Sequence, residues 1–262
     1  MAGALSGKVA VVTGAGQGLG RDVALRFAAE GATVALAARS EAKLAAVADE
    51  VAAAGGRALV VPTDVARDAD VEALRKRVVA EVGPVDVLVN NSGVAGPTAP
   101  LWEQSRAAWD ETFAINVTGV FLMCRAFLPA MLERGAGSVI VVGSMTGKRA
   151  LHGRTPYAAS KTALVGLVRT LAWETGGSGV RVNLVSPGPI AGARLDGVVA
   201  ARAASLGRTE EEVRAELTSA SPLARFVGGE EIASAAVFLA SDASSAITGE
   251  DLNVSAGTVM HG

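Results

Sequence analysis

The chain has 262 residues, half of them hydrophobic and 19% charged, which is enough to build one large α/β domain with a buried core. Lysine and arginine total 24 against 26 acidic residues, and this near balance argues against a nucleic-acid binder. The single cysteine, Cys124, excludes an intrachain disulfide framework, and with only two histidines we expect no metal site. No uninterrupted apolar run reaches the ~18 residues that span a bilayer, and the N-terminus lacks the pattern of a signal peptide, so we expect a soluble cytoplasmic protein.

Apolar β-branched segments alternate with helical patterns along the chain, which is typical of repeated βαβ units. The predicted strands are Val9–Thr13, Thr33–Ala37, Ala58–Pro62, Val85–Asn90, Gly137–Val142, Val180–Ser186 and Asp251–Val254. The predicted helices are Gly18–Glu30, Glu41–Ala54, Ala69–Val82, Ser105–Arg134, Tyr157–Gly176 and Gly229–Ala240. Since most strands are continuous apolar runs, helices should cover both faces of the sheet. The pattern predicts a single doubly wound α/β domain over residues 1–262, with a parallel seven-stranded sheet.

One segment, residues 189–221, departs from this alternation. It contains a stretch rich in glycine and alanine, followed by the charged helical run Arg208–Leu217, and it is too long for an ordinary connection. We expect a lid over a substrate site, because mobile segments beside a rigid scaffold commonly have this role. An insertion that only packs on the surface is the alternative.

A glycine-rich turn, TGAGQGLG from Thr13 to Gly20, follows the first predicted strand and opens the first helix. Glycines allow a tight turn and a close approach of the backbone to a ligand, and the new helix offers unpaired N–H groups and a positive dipole end. Because the turn lies in the first βαβ unit, it predicts a site for the pyrophosphate of a dinucleotide. A purely structural turn is the alternative.

The end of the second predicted strand indicates which dinucleotide binds. A carboxylate about 20 residues after the glycine motif would hydrogen-bond the ribose of NAD. Here Ala38 is followed by Arg39 and Ser40; alanine accepts no such bond, whereas arginine pairs with a 2′-phosphate. The sequence therefore favours NADP(H), with NAD(H) as the alternative. Asp64, after the third strand, is either an adenine contact or a turn aspartate.

A second group of residues predicts acid–base chemistry. Tyr157, the only tyrosine of the chain, and Lys161 are four residues apart at the start of a predicted helix and therefore share one face. A nearby ammonium favours the phenolate, which makes a tyrosine usable as a general acid or base. Ser144 follows the apolar fifth strand, at the edge of the sheet where ligands bind in open α/β folds.

Together these residues resemble the short-chain dehydrogenase/reductase family, over essentially the whole chain. The motif TGxxxGxG matches at Thr13, Gly14, Gly18 and Gly20, and YxxxK matches at Tyr157 and Lys161. The family's NNAG stretch is similar to Asn90-Asn91-Ser92-Gly93, its helix asparagine to Asn116, its serine to Ser144 and its PG pair to Pro187-Gly188. The resemblance implies a Rossmann fold and an oxidoreductase that moves a hydride between nicotinamide and a carbonyl or carbinol carbon.

The resemblance also implies roles for single residues. Tyr157 would exchange a proton with the substrate oxygen that Ser144 holds, Lys161 would bind the nicotinamide ribose and acidify Tyr157, and Asn116 would anchor a water in the proton relay. The expected cofactor contacts are Gly14, Gln17, Gly18, Leu19, Gly20, Arg39, Ser40, Asp64, Val65, Asn91, Gly93, Tyr157, Lys161, Pro187, Gly188 and Ile190.

The chain departs from the family pattern at two positions. Gly192 stands where the family often has a threonine that contacts the carboxamide, and Gln17 replaces the basic residue that many NADP-preferring members carry. A non-catalytic dinucleotide sensor and an epimerase or dehydratase of the same fold are the alternative functions. The sensor is disfavoured because such proteins tend to lose the tyrosine or the lysine.

The loop between Ser144 and Tyr157 is expected to line the substrate pocket. It carries Lys148, Arg149, His152 and Arg154, and Arg194 begins the predicted lid. This cluster predicts a polar or anionic substrate, such as a sugar or a 3-oxoacyl derivative, contacted by Ser144, Arg149, His152, Arg154, Tyr157 and Arg194. Ordinary solvated surface charge is the alternative. The resemblance further implies a homo-oligomer, a tetramer or a dimer, that pairs the helices predicted at Ser105–Arg134 and Tyr157–Gly176.

Overall fold

Seven parallel strands form one sheet in a computed structural model that describes residues 3–260, apart from the side chains of residues 194, 201, 202 and 205. The strands are β1 (Val9–Thr13), β2 (Thr33–Ala38), β3 (Arg57–Pro62), β4 (Val87–Asn90), β5 (Gly137–Val142), β6 (Val180–Pro187) and β7 (Asp251–Val254). Their order in the sheet is β3-β2-β1-β4-β5-β6-β7. The predicted α/β class, parallel sheet and strand number are confirmed.

The helices alternate with the strands. They are α1 (Gly18–Ala29), α2 (Glu41–Ala53), α3 (Asp68–Glu81), α4 (Arg106–Phe113), α5 (Gly119–Arg134), α6 (Thr155–Gly176), α7 (Ala193–Leu206), α8 (Glu210–Ser219) and α9 (Gly229–Ala240). The helix predicted over Ser105–Arg134 is interrupted by a π-helical turn, Ala114–Thr118. The predicted run Arg208–Leu217 corresponds to α8, but α7 was not predicted, because its glycine and alanine content resembled a loop.

Two hydrophobic clusters cover the two faces of the sheet. Neighbouring strand residues point to opposite faces, so that Val139 and Val141 lie in one cluster and Ile140 in the other. The first cluster packs against α3, α5 and α6, and the second against α1, α2 and α9. Both faces are therefore buried, as the unbroken apolar strands predicted.

The stretch Arg106–Arg134, which includes α4, the π turn and α5, is long and apolar enough to cross a membrane by length and composition alone. Half of its most apolar window is buried inside the protein, and Met123, Phe127 and Met131 belong to the first hydrophobic cluster. These contacts are those of a core helix, which passes the same test of length and composition.

The strand order creates a crevice at the carboxyl ends of β1 and β4. The chain proceeds from β1 to β2 on one side and returns through β4 on the other, and ligands of open α/β sheets bind at this switch point. The crevice therefore lies beside the turn that follows β1 and the residues that follow β4, β5 and β6.

The segment 189–221 forms a helical hairpin of its own. Helices α7 and α8 share a small cluster in which Val199, Ala203 and Val213 are buried. At its base, Val227 N donates to Pro189 O at 3.0 Å and Ala191 N to Val227 O at 2.9 Å, and Ile190 pairs with Val227 as an isolated parallel bridge. The two segments that connect the hairpin to the sheet, its stems around Ile190 and Val227, are thus hydrogen-bonded to each other.

Candidate active site

The glycine-rich turn after β1 has the shape of a cradle that side chains would fill. Gly14 and Gly18 have φ angles of +67° and +53°, a region that favours glycine. A Cβ at Gly20 would lie 2.2 Å from the Gly14 carbonyl oxygen, so the first turn of α1 packs directly on the loop. No side chain caps α1 at Gln17, which leaves its first N–H groups for an anion, while Leu19 packs against the second core cluster.

The end of β4 is joined to this turn by hydrogen bonds. The Thr13 hydroxyl accepts the backbone N–H groups of Asn91 and Ser92 at 2.9 and 3.0 Å. The Asn91 amide donates to Thr13 O at 2.8 Å and lies 3.5 Å from Gly14 O. Asn91 was expected to contact the cofactor, but its side chain instead supports the turn. The Thr13 hydroxyl supports the same connection from the other side. The motif includes Thr13, but the sequence did not predict this supporting role.

The turn between β2 and α2 has polar and cationic side chains. Ser40 caps α2, because its hydroxyl accepts Lys43 N at 3.4 Å, so its side chain is already engaged in the helix. Arg39 is exposed, and its guanidinium makes no hydrogen bond or ion pair with any residue that the structure describes. Arg39 therefore remains available to a ligand phosphate, and its contact with the cofactor stays a prediction.

Asp64 and Val65 lie after β3. The Asp64 carboxylate accepts Ala66 N at 3.0 Å, which is the turn role weighed as the alternative. Val65 is buried, and a Cβ at Gly119 would lie 2.9 Å from its side chain. Only the remaining carboxylate oxygen of Asp64 and the backbone at these positions are left for an adenine.

Ser144, Tyr157 and Lys161 lie near the carboxyl end of β5. The Ser144 hydroxyl accepts Thr146 N at 3.1 Å, so its own proton is free to be donated to a substrate oxygen. Lys161 Nζ donates to Val142 O at 2.7 Å, and it lies 5.8 Å from the centre of the Tyr157 ring. The lysine is thereby held between the end of the strand and the tyrosine.

Burial changes the charge equilibrium of this lysine. Lys161 is only 5% exposed, and desolvation of the ammonium lowers its pKa from 10.5 to about 8. The site thus holds a cation that a neighbouring hydroxyl or phenolate would stabilise. A Cβ at Gly93 would lie 3.6 Å from Lys161 Nζ and 3.3 Å from Asn116 Oδ1, which places Gly93 between the two polar side chains.

Asn116 is fully buried in the π turn, and its amide is used within the protein. Its Oδ1 accepts Val94 N at 2.8 Å, and its Nδ2 donates to Val94 O at 2.9 Å and to Ser160 Oγ at 3.0 Å. Ser160 in turn donates to Tyr157 O at 2.8 Å. This chain connects the residues after β4 with the first turn of α6. Ser160 was not predicted; its place between Tyr157 and Lys161 was the available signal.

Of the expected cofactor contacts, Pro187 ends β6, and Gly188 and Ile190 follow it. A Cβ at Gly188 would lie 2.8 Å from Ser255 Cα, so only glycine lets these two loops touch. Gly192, which stands where a threonine was expected, precedes α7 with a φ of +136°. Side chains rarely adopt this conformation, and the departure at Gly192 therefore has a backbone cause.

The basic residues of the loop after Ser144 do not form one cluster. Lys148 is 6% exposed and paired with the equally buried Asp251 at 2.9 Å, so it is not part of a pocket rim. Arg154 Nη1 donates to the carbonyl oxygens of Ala95 and Gly96 at 3.1 and 3.0 Å and fastens two loops together. Arg149 and His152 are exposed. The Arg194 side chain lies outside the described residues. The prediction of an anion cluster is thus wrong for Lys148. At Arg154, one guanidinium nitrogen is engaged by backbone carbonyls, which leaves only the rest of the group for a substrate.

No group of His, Cys, Asp and Glu side chains among the described residues has the arrangement of a metal site. Cys124 is buried, and desolvation raises the pKa of its thiol to about 12. The polar centre of the crevice is therefore formed by the hydroxyl, phenol and ammonium groups of Ser144, Tyr157 and Lys161, beside a cradle for a pyrophosphate. The cradle is typical of a dinucleotide-binding protein, and the three polar groups beside it are suited to acid–base chemistry.

The comparisons with known proteins agree with this class. A family model described as enoyl-(acyl carrier protein) reductase matches residues 14–259. D-threitol dehydrogenase of Mycolicibacterium smegmatis is 40% identical over 255 residues, covering 97% of this chain and 93% of that protein. The chain belongs to the short-chain dehydrogenase/reductase family, and it is an oxidoreductase that acts on CH–OH and keto groups.

Two solved structures show how far the fold is shared. NAD⁺-bound xylitol dehydrogenase superposes with a TM-score of 0.91 at 30% identity, covering 97% of this chain and 99% of that one. A variant of actinorhodin polyketide ketoreductase with NADPH also has a TM-score of 0.91, at 35% identity and with coverage of 98% and 99%. The Rossmann architecture is confirmed, and both nicotinamide dinucleotides occur among the structural neighbours.

Proposed function

We propose that the chain interconverts a secondary alcohol and a ketone with Tyr157 as its general acid and base. The bound nicotinamide dinucleotide supplies or accepts the hydride. In the reducing direction, Ser144 donates its free hydroxyl proton as a hydrogen bond to the substrate carbonyl, and Tyr157 transfers a proton to that oxygen. Lys161 holds a positive charge beside the phenol and stabilises the phenolate that remains. The observation that carries this proposal is the convergence of the three groups at the end of β5.

Asn116 has a positioning role in this proposal. Its amide is occupied by Val94 and Ser160, so a relay water would bind a backbone carbonyl rather than this side chain. A π-helical turn departs from the regular i→i+4 hydrogen-bond pattern and supplies such a carbonyl.

The test of the chemistry is Tyr157→Phe, which keeps the ring but removes the transferable proton. We expect kcat to fall by at least about 100-fold while dinucleotide affinity changes little. Lys161→Ala should lower both kcat and dinucleotide affinity. Near-normal turnover in Tyr157→Phe would remove this residue from the mechanism. Intact turnover of alcohol to ketone also separates an oxidoreductase from the sensor, and product analysis separates it from an epimerase or dehydratase.

For the cofactor we propose NADP(H). Ala38 accepts no hydrogen bond from a ribose, and the Arg39 guanidinium makes no contact with any described residue, which suits a 2′-phosphate. The xylitol dehydrogenase neighbour binds NAD⁺ and the ketoreductase binds NADPH, so the fold accepts either. We expect Arg39→Ala to weaken NADP(H) by roughly 1–3 kcal/mol and NAD(H) far less. A wild-type preference for NAD by tenfold or more would overturn the assignment.

For the substrate we propose a polar hydroxy or keto compound of the sugar or polyol class. The threitol and xylitol dehydrogenases act on polyols by name, and the exposed Arg149 and His152 offer donors to hydroxyl or carboxylate groups. A 3-oxoacyl compound is the second candidate, because the matching family model is named for an acyl substrate and the ketoreductase for a polyketide. Relative kcat/KM on a panel of polyols, sugar acids and 3-oxoacyl thioesters distinguishes the two classes.

We further propose a cytoplasmic homo-oligomer, with the hairpin of α7 and α8 as a substrate lid. Phe121 on α5 is 48% exposed, and at the β7 edge Phe238, Leu252 and Met260 are also exposed. These side chains would be buried by further copies of the chain, as a tetramer or a dimer. A monomer in light scattering at micromolar concentration would contradict the assembly. If the hairpin is a lid, Val213→Ala should raise KM more than it lowers kcat.

A further inference from the structure

The glycine turn and the start of α2 meet through one side-chain contact that sequence motifs did not indicate. Lys43 Nζ donates to Gln17 Oε1 at 2.5 Å, although the two residues are 26 positions apart. A Cβ at Gly16 would lie 3.1 Å from Lys43 Cβ, so the glycine allows the lysine stem to lie against the turn. The Lys43 ammonium thus lies beside Gln17, the position at which many NADP-preferring relatives carry a basic residue.

The charge of Lys43 is not neutralised locally. Lys43 is exposed and forms no ion pair with a carboxylate in the part of the chain that the structure describes; its side-chain partner is the neutral Gln17. Arg39 is likewise exposed and unpaired within the same range. Two cations therefore lie close together in sequence, Arg39 before α2 and Lys43 in its first turn, with Ser40 and the acidic Glu41 between them.

The position of this pair corresponds to one part of a bound dinucleotide. The carboxyl ends of β1 and β2 are adjacent, with Thr13 beside Ala37, and Ala15 N donates to Ala37 O at 3.3 Å. In dinucleotide-binding folds the adenosine ribose lies over the end of β2, where a carboxylate marks NAD. A phosphate on the ribose 2′ oxygen would point to the turn that carries Arg39 and Lys43.

We infer that Lys43, held by Gln17, is a second cationic contact for the 2′-phosphate of NADP(H) and restores the charge that Gln17 lacks. This inference rests on the proposed preference for NADP(H). Gln17 acts on the phosphate through Lys43, as a positioning residue: its carbonyl orients the ammonium, and its amide N–H groups donate to no residue that the structure describes. Lys43 then shares with Arg39 the selection of NADP(H) over NAD(H).

The test measures binding in the absence of catalysis. Adenosine 2′,5′-bisphosphate and adenosine 5′-monophosphate differ only in the 2′-phosphate, and isothermal titration calorimetry gives the affinity of the full-length protein for each. We expect Lys43→Met to weaken the bisphosphate by about tenfold and the monophosphate by less than about twofold. The matched control is Lys76→Met on α3, an exposed lysine far along the chain from the turn, which should change neither.

A rescue variant separates a charge effect from a structural one. Gln17→Arg in the Lys43→Met background places a cation in the same space, and it should recover most of the lost bisphosphate affinity. Unchanged bisphosphate affinity in Lys43→Met, or equal losses for both ligands, would overturn the inference. If the wild type itself does not prefer the bisphosphate, the proposed NADP(H) preference fails. If the wild type prefers it and Lys43→Met keeps that preference, only the role of Lys43 fails.

Discussion

The two sides of the crevice are built differently. On the cofactor side, the glycine turn is bonded to the end of β4 by Thr13 and Asn91, and the strands beneath it are fully buried. On the side of the proposed lid, the α7–α8 hairpin has a cluster with three buried hydrophobic side chains among those that the structure describes, and it is attached through two paired stems. The cofactor side is thus held by many buried contacts, whereas the segment that we propose as the substrate lid has little packing of its own to resist movement.

We expect the largest effect on stability where the loop after Ser144 is anchored to the sheet. The buried pair of Lys148 and Asp251 joins the loop after Ser144 to β7, and Lys148 Nζ also contacts Asn253 Oδ1. Lys148→Met leaves the Asp251 carboxylate buried without its partner, and we expect a loss of about 3–5 kcal/mol in the free energy of unfolding. Urea denaturation measures it.

Two controls accompany that variant. Lys148→Met combined with Asp251→Leu removes both charges and should recover much of the loss. Lys76→Met removes an exposed lysine that lies 3.6 Å from Glu72, and its effect should stay below about 1 kcal/mol. A Lys148→Met protein as stable as wild type would show that the pair does not anchor the loop.

Truncations in the two hydrophobic regions compare the sides directly. Ile140→Ala creates a cavity in the centre of β5 and should cost about 2–5 kcal/mol of global stability. Val213→Ala in the hairpin should cost less than about 1 kcal/mol globally, but it should speed amide exchange across Glu210–Ser219 and raise KM more than it lowers kcat. A cooperative global loss from Val213→Ala equal to that of Ile140→Ala would mean that the hairpin is an integral part of the core.

The pH dependence of stability tests the burial of Lys161. Its pKa is about 8 in the folded protein free of ligand, whereas an unfolded chain has the ordinary lysine value of 10.5. Between these two pH values the unfolded chain therefore binds more protons. Burial of Lys161 therefore destabilises the fold less and less as the pH rises from 8 to 10.5, and the free energy of unfolding increases by about 3 kcal/mol over this range. Cys124 acts in the opposite direction above pH 9, because burial raises its pKa to about 12.

The Cys124 contribution is common to wild type and to Lys161→Met, so the difference between the two proteins isolates the lysine. We expect Lys161→Met to be the more stable protein near pH 7, with the advantage shrinking as the pH approaches 10.5. Parallel stability curves over this range would contradict the low pKa of the lysine.

The smallest expected effect concerns the substrate loop. If the substrate is anionic, Arg149→Ala should lower kcat/KM by about two- to fivefold at low salt, and less as ionic strength rises. Neutral analogues should be unaffected. Arg154→Ala should instead impair neutral and anionic substrates alike, because Arg154 fastens two loops through the carbonyls of Ala95 and Gly96. Equal, salt-independent rates in both variants would show that neither residue contributes to substrate turnover.

The sequence by itself determined the strands, the turn that begins α1 and the pairing of Tyr157 with Lys161. These features depend on local properties: apolar runs, glycine conformations and the spacing of residues along one helix. The prediction of a lid segment depends on its length, its composition and its departure from the strand–helix alternation. Its first helix is missed because alanine and glycine content does not distinguish a helix from a loop.

Only the tertiary structure decided what each polar group does. Lys148 and Arg149 are neighbours with the same charge, yet one is buried against Asp251 and the other is exposed. The Asn116 amide is used by Val94 and Ser160, and Lys43 meets Gln17 across 26 residues. The physical reason is that the desolvation and partners of a charge depend on which distant segments meet it, and local sequence patterns carry no record of those meetings.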